Sequence, residues 1–190
     1  NRIDIRSAAK EPMKKLMKET GLTVHLAIFE EGEALYVDKM ESNAFVQFSS
    51  YIGQKQPIHA SAVGKAMAAC LPEDELDQVI EVKGLPKKTV NTLTNPIEFK
   101  KNLQLIRQLG YAVEDEEGEV GIRCVGAPIF NYEGKIYGAI SVTAIRNDLS
   151  IQEIPRIGHL VMEAASAISN GLGYTKAAFG NDVNRGNEEE

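Results

Sequence analysis

The stretch that decides the fold is residues 122–144, which read IRCVGAPIFNYEGKIYGAISVTA. Two segments rich in β-branched and aromatic residues, 122–130 and 135–144, lie on either side of the four residues 131–134, which end in glycine. Strand-forming runs around a short, glycine-containing turn are typical of a β-hairpin. The sequence therefore predicts two antiparallel strands here.

The second strand of this hairpin carries two hydroxyl groups on one face. Side chains alternate along a strand, so Ser141 and Thr143 share a face with Ala139, while Ile140 and Val142 lie on the other. A buried hydroxyl group needs a hydrogen-bond partner. The face is therefore either solvated or the floor of a polar pocket, and the residues alone leave both open.

Further strands are predicted before this hairpin. Residues 23–29 and 34–40 flank the turn-forming segment 30–33 and predict a second hairpin. Residues 45–50 and 111–114 predict two more strands, although the imperfect alternation of 45–50 does not fix its register.

Helices are predicted where apolar residues recur at helical spacing between proline and glycine signals. The predicted helices cover residues 4–20, 60–71, 73–82, 96–109 and 151–172, and residues 83–95 form a loop. We expect Pro12 to bend or restart the first helix. Hairpins interleaved with helices predict an α+β fold, with one antiparallel sheet and helices packed on it.

Composition and charge limit the classes of function. A chain of 190 residues with 43% hydrophobic residues fits one domain, residues 1–180, and the apolar-poor residues 181–190 predict a disordered tail. The charged start and the lack of eighteen consecutive apolar residues exclude a secretory signal and a membrane span. A net charge of −6 has the wrong sign for binding DNA phosphates.

The two cysteines predict a cytoplasmic protein. Cys70 and Cys124 lie far apart, with no Cys or His nearby at metal-ligand spacing, so we expect neither a disulfide scaffold nor a zinc site. Cys124 itself can be a nucleophile, a ligand contact or a buried thiol. No histidine shows motif spacing to it, which favours an unreactive thiol. Its neighbour Arg123 is predicted to pair with a carboxylate of the acidic segment 114–119.

A run of small residues opens the second predicted helix. Residues 57–66 read PIHASAVGKA, with Ser61 as a candidate N-cap. Small side chains leave the first main-chain amides approachable by a carboxylate. They also allow a helix to pack closely on a sheet, so both interpretations stay open.

Taken together, these motifs resemble the sensing domain of the IclR family of bacterial transcriptional regulators. The resemblance rests on residues 59–66, on 121–124 with their acidic lead-in, and on the hairpin segments 127–130 and 139–142. The opening residues 16–28 also look like the first helix and strand of that family. The match covers most of residues 4–174, with the motifs in the same order.

The resemblance implies a GAF-like fold, in which a curved antiparallel sheet is flanked by helices and an effector pocket lies on one side. Family members join this domain to an N-terminal winged helix-turn-helix that binds operator DNA, and they act as homodimers or tetramers. The 190 residues lack such a domain, and we expect residues 4–20 to link to it in a longer protein. The resemblance implies neither a cofactor nor a membrane partner.

The resemblance also assigns residues to the effector pocket. Its anion-binding amides correspond to Ala62 and Val63, and its acid and thiol to Glu114 and Cys124. Its strand hydroxyls and apolar wall correspond to Ser141, Thr143, Phe45, Phe48 and Ile122. Some family members have Gly, Asp and Ser where this chain has Ala62, Glu114 and Thr143. Each side chain is larger here, so the resemblance does not fix the size or identity of the effector.

Three hypotheses for function follow. The first is a sensor that binds a small organic acid such as a keto acid, sugar acid or aromatic acid. The second is a cysteine-dependent enzyme that uses Cys124 as nucleophile and His59 or Glu114 as base. The third is a dimerisation module whose interface is the apolar stripe of the last helix.

Overall fold

The computed structural model describes residues 4–43 and 47–175. One curled antiparallel sheet has the strand order β3-β2-β1-β6-β5-β4. The strands are β1 Thr23–Glu30, β2 Glu33–Met40, β3 Lys55–Pro57, β4 Ala112–Asp115, β5 Ile122–Phe130 and β6 Ile136–Ile145. The helices are α1 Ile5–Thr20, α2 Ala62–Ala68, α3 Glu73–Lys83, α4 Pro96–Leu109 and α5 Ile154–Gly171. The α+β fold predicted from the sequence is confirmed.

Each face of the sheet covers its own apolar core. The face with Ile140 and Val142 packs against α1 and α5, and the face with Ala139 packs against α2, α3 and α4. Ser141 and Thr143 lie on this second face, where they are buried rather than solvated. The period of two thus separates an apolar face from a face that becomes polar toward the end of β6.

Local signals set the ends of the helices accurately. In α4 the Asn95 side chain accepts hydrogen bonds from the amides of Ile97 and Glu98, and Gly110 ends the helix with a φ of 86°. Only glycine adopts such a φ without strain. The predicted bounds of α4 are therefore confirmed. Helix α1 runs unbroken through Pro12, so a restart there is wrong, while the alternative of a bend stays a prediction.

The predicted strand over residues 45–50 is wrong. Residues 47–50 form no strand, and the edge strand beside β2 is Lys55–Pro57 instead. The Nζ atom of Lys39 donates hydrogen bonds to the main-chain carbonyls of Phe48 and Ser50, both over 2.8 Å. Hydrogen bonds from a lysine on β2 therefore fix this segment, in place of the predicted pairing with a neighbouring strand.

Helices α2 and α5 differ most from the prediction, and α2 ends at Ala68 rather than at residue 71. Helix α2 begins at Ala62 rather than residue 60, because Ser61 is the N-cap and accepts a hydrogen bond from the amide of Gly64. Helix α5 begins at Ile154, after a short 3₁₀ turn over Ile151–Glu153, because Pro155 favours the first turn of a helix. The predicted tail 181–190 lies outside the described residues.

Substituting Gly138 tests the close contact between β6 and β1. An added Cβ would overlap the carbonyl oxygen of Ala27 and would lie 3.2 Å from the Ile5 side chain. Overpacking of this kind costs about 1–3 kcal/mol, so Gly138→Ala should lower the free energy of unfolding by that amount. Chemical denaturation measures it. Gly171→Ala is the control, because its Cβ would meet only Ala8 at 3.4 Å, and it should not destabilise the fold.

Candidate ligand-binding cavity

A cavity of about 550 Å³ lies on the polar part of the sheet. Its floor is formed by side chains of β1, β5 and β6, and its walls by the start of α2, by β3 and by the segments 47–50 and 114–122. Lys88, from the loop between α3 and α4, lines it as well. Because these segments are far apart in sequence, the cavity exists only in the folded chain.

The residues that the sequence assigned to a pocket meet around this cavity. Of the nine, eight line it, namely Ala62, Val63, Glu114, Cys124, Ser141, Thr143, Phe48 and Ile122. The ninth, Phe45, lies outside the described residues. Their predicted role in effector binding stays a prediction.

A hydrogen-bonded chain crosses the cavity floor. The Oγ1 atom of Thr143 lies 3.2 Å from Nδ1 of His25 and accepts a hydrogen bond from Cys124 Sγ over 3.4 Å. His25 Nε2 lies 2.7 Å from the Oγ atom of Ser50. Burial, and then the charge of Lys39, lower the pKa of His25 to about 3, so its ring is neutral at physiological pH. The Thr143 hydroxyl therefore already has hydrogen-bond partners within the protein.

The neighbouring hydroxyl of Ser141 is different. Ser141 is only 2% exposed and lines the cavity, yet its Oγ atom has no hydrogen-bond partner within the described part of the chain. The main-chain amides of Ala62 and Val63 likewise have no partner there. A polar group that lines a cavity without a protein partner can form its hydrogen bond with water or with a ligand. These groups are thus available to a ligand.

Glu114 is a buried acid with a shifted pKa. Its Oε1 atom accepts hydrogen bonds from the amides of Glu117 and Gly118, over 2.6 and 2.8 Å. Burial raises the pKa of Glu114 to about 7, although these two hydrogen bonds oppose the shift. Near neutral pH a fraction of Glu114 is therefore protonated, and a protonated carboxyl can donate a hydrogen bond.

Cys124 lacks the features of a nucleophile. Burial, followed by the negative charge of Glu114, raises the pKa of its thiol well above the ordinary value. The thiolate, which is the reactive form, is therefore disfavoured. The other proposed base, His59, shares a hydrogen bond of 2.8 Å with the carbonyl oxygen of Pro86. This geometry argues against the hypothesis of a cysteine-dependent enzyme.

Ion pairs fix the segments around the cavity. Lys65 of α2 is 1% exposed and donates to both carboxylate oxygens of Glu117, over 2.9 and 3.1 Å. Arg123 pairs with Asp115, as the sequence predicts, over 2.9 and 3.1 Å. Gly118 passes so close to Ala60 that a Cβ would overlap the carbonyl oxygen of Ala60. Glu114 and Gly118 are therefore held against the start of α2.

Several residues that line the cavity carry no pocket assignment from the sequence. His25 and Tyr36 lie on adjacent strands with their rings stacked at 4.6 Å. His25 falls in the segment 16–28 that resembles the family, but the resemblance gives it no role in the pocket. Gln56 and Lys88 come from an edge strand and a loop. Only the strand pairing of β1 with β2 and β6, which is not local in sequence, could have placed His25 beside Ser141 and Thr143.

The raised pKa of Glu114 predicts a pH-dependent stability. Because folding favours its protonated form, Glu114 contributes stability below its ordinary pKa of 4.5, and this is lost as pH rises through about 7. The free energy of unfolding of Glu114→Gln should therefore rise relative to that of the parent over this pH range. The expected gain is about 3 kcal/mol, because one pKa unit corresponds to about 1.4 kcal/mol. Urea denaturation from pH 4 to 8 measures the difference.

The lowered pKa of His25 acts in the opposite direction, because stability is lost as pH falls from 6.5 toward about 3. The parent and Glu114→Gln both contain His25, so the effect of His25 cancels in the difference between their stabilities. A difference that does not change with pH would contradict the assignment to Glu114.

A curled sheet with helices on both faces and a polar cavity on one of them defines a small-molecule-sensing domain. The chain belongs to the IclR family, because the family described as "Bacterial transcriptional regulator IclR C-terminal" matches residues 1–170. It is therefore an effector-binding domain of a transcriptional regulator. Among the described residues, no helix is long and apolar enough to cross a membrane.

Relatives and solved structures agree with this assignment. The HTH-type transcriptional regulator XynR of Escherichia coli is 34% identical over 90% of this chain and 68% of its own length. The Transcriptional repressor IclR of Escherichia coli is 32% identical over 85% of this chain, which spans only 60% of that relative. The Thermotoga maritima IclR structure superposes with a TM-score of 0.87 and 38% identity, covering 91% of this chain and 70% of its own. Because the named relatives are regulators, a regulator rather than an enzyme is supported.

Proposed function

We propose that this domain binds a small carboxylic acid in the cavity and that the bound acid changes operator binding by the winged helix-turn-helix of the full-length protein. The observation that carries the proposal is the Ser141 hydroxyl, which lines the cavity and has no hydrogen-bond partner among the described residues. A cytoplasmic location remains part of this proposal.

The chemistry of the cavity supports an acidic ligand. The unpartnered amides of Ala62 and Val63 are hydrogen-bond donors, as are the Ser141 hydroxyl and the protonated form of Glu114. Hydrogen bonds to an ionised acceptor are about twice as strong as those between neutral groups. A carboxylate is therefore the ligand group that gains most from this set of donors.

Self-association is part of the proposal, but not through the apolar stripe of α5. Its residues Ile157, Val161, Ala165 and Ile168 are buried against the sheet of the same chain. They are not free to form a second interface, so the hypothesis of a dimerisation module built on this stripe is wrong. Light scattering at micromolar concentration tests whether the domain forms dimers or tetramers through another surface.

Thermal-shift screening of organic acids, followed by calorimetry, tests acid binding. An acid at about 100 times its dissociation constant should stabilise the domain by about 2.7 kcal/mol. Ser141→Ala should weaken the best acid by about 0.5–1.5 kcal/mol, which is the usual net contribution of a hydrogen bond. The control is Ser166→Ala on α5, which lines no part of this cavity and should leave the affinity unchanged. Equal affinity of the parent and Ser141→Ala would show that the acid does not bind at Ser141.

A further inference from the structure

Lys88 is an exposed lysine that lines the cavity without an ion-pair partner. Within residues 4–43 and 47–175, no carboxylate lies within 4 Å of its Nζ atom, whereas the other lysine of the lining, Lys55, pairs with Glu31 at 3.4 Å and Glu33 at 3.9 Å. Lys88 is thus the cation that these described residues leave available to a ligand.

The loop that carries Lys88 is anchored rather than free. The Lys88 amide donates to Oγ1 of Thr92 over 2.9 Å, and that hydroxyl donates to the carbonyl of Glu117 over 2.6 Å. The hydroxyl of Thr89 donates to the carbonyl of Glu116 over 2.5 Å, and both threonines are 8% exposed. These bonds fix the loop to the segment that also carries Glu114, so the Lys88 main chain keeps its place beside the cavity.

Other polar side chains of the cavity can form hydrogen bonds with the hydroxyl groups of a ligand. Beside Ser141, the side-chain amides of Gln47 and Gln56 line the cavity, and neither has a hydrogen-bond partner in the described part of the chain. An amide both donates and accepts, as a hydroxyl does. Glu119, an exposed carboxylate of the lining, accepts hydrogen bonds from hydroxyls but repels a second carboxylate.

We propose that the cavity is specific for a polyhydroxylated monocarboxylic acid, whose carboxylate lies at the start of α2 with Lys88 as its counter-charge and whose hydroxyls bond to Ser141, Gln47 and Gln56. This inference rests on the proposed acid-binding function and names the class of acid. The volume of about 550 Å³ lies within the range of about 300–1,000 Å³ that holds ligands larger than two- or three-carbon acids. An alkyl acid has no hydroxyl, so with its carboxylate at the start of α2 it would leave the Ser141 hydroxyl without a ligand partner.

The test uses matched probes of four, five and six carbons. The hydroxylated acids threonate, ribonate and gluconate are compared by calorimetry with butyrate, valerate and hexanoate, which lack the hydroxyls, and with threitol, ribitol and sorbitol, which lack the charge. At one chain length the hydroxylated acid should bind at least about a hundredfold more tightly than the other two. Equal binding of the alkyl acid or of the polyol would overturn the inference.

Variants of Lys88 test the role of its charge. Lys88→Met should weaken the hydroxylated acid about tenfold or more and leave the polyol unchanged, while Lys88→Arg should keep most of the affinity. Lys87→Met is the control, because this exposed neighbour does not line the cavity and its loss should change nothing. Equal acid affinity of the parent and Lys88→Met would overturn the assignment of Lys88.

The outcomes separate this inference from the function on which it rests. If glyoxylate or 4-hydroxybenzoate binds and Ser141→Ala weakens it, while no hydroxylated acid binds, the acid-binding function stands and the inference fails. If none of these acids binds the parent domain, both fail.

Discussion

Replacing Lys65 by methionine is expected to destabilise the fold by about 3–5 kcal/mol, the usual cost of removing one partner from a buried ion pair. Lys65 is 1% exposed, and its ammonium group lies 2.9 and 3.1 Å from the carboxylate oxygens of Glu117, which is itself 8% exposed. Methionine keeps the length of the side chain but leaves the Glu117 carboxylate buried without its cation. Urea denaturation of the parent and Lys65→Met measures the loss.

Two controls separate the lost charge from other effects. Adding Glu117→Gln to Lys65→Met removes the unpaired charge and should recover much of the lost stability, because a glutamine can still accept from the Asp115 amide. Lys15→Met removes an exposed lysine that lies 3.8 Å from Glu19, and should change stability by no more than about 0.5 kcal/mol. A double variant less stable than Lys65→Met would contradict the explanation.

This ion pair also connects the fold to the cavity. The Glu117 amide donates to Glu114, and the Glu117 carbonyl accepts from Thr92 in the loop of Lys88. Lys65 therefore holds one residue that positions both a buried acid and an exposed cation of the candidate site. Loss of Lys65 should weaken ligand binding as well, even though Lys65 does not line the cavity.

The parts of the fold that follow local rules could be predicted from the sequence. Helix α4 has its cap at Asn95, a proline in its first turn and Gly110 at its end, and strand β5 is bounded by residues 121 and 131 in turns. The predicted bounds of both are confirmed. The predicted strand over 45–50 is wrong because Lys39, which reaches residues 48 and 50 from another strand, gives no local signal.

Some residues of the candidate site could likewise be predicted from the sequence, and others could not. The alternation of side chains along β6 places Ser141 and Thr143 on one face. The other predicted pocket residues come from the resemblance to a family. His25 and Lys88 could not be predicted, because strand pairing brings the first to the cavity and threonine hydrogen bonds bring the second. Predicting them requires contacts between segments that are distant in sequence.

The acid-binding proposal predicts its largest effect at Ala62. This residue lines the cavity together with Glu114, and an aspartate here would place a fixed negative charge where the ligand's carboxylate is proposed to lie. Two like charges about 4 Å apart repel by about 4 kcal/mol at the effective dielectric constant of sites near a protein surface. Ala62→Asp should therefore weaken acid binding on the order of a thousandfold.

Ala62→Asn is the matched control, because asparagine has nearly the same shape as aspartate but no charge. Both side chains must fit beside Gly126, where an added Cβ would lie 3.3 Å from the Ala62 side chain, so any steric loss is common to the two variants. Calorimetry with the best acid of the screen should show Ala62→Asn binding far more tightly than Ala62→Asp. An acid that binds both equally well would show that its carboxylate does not lie at this end of the cavity.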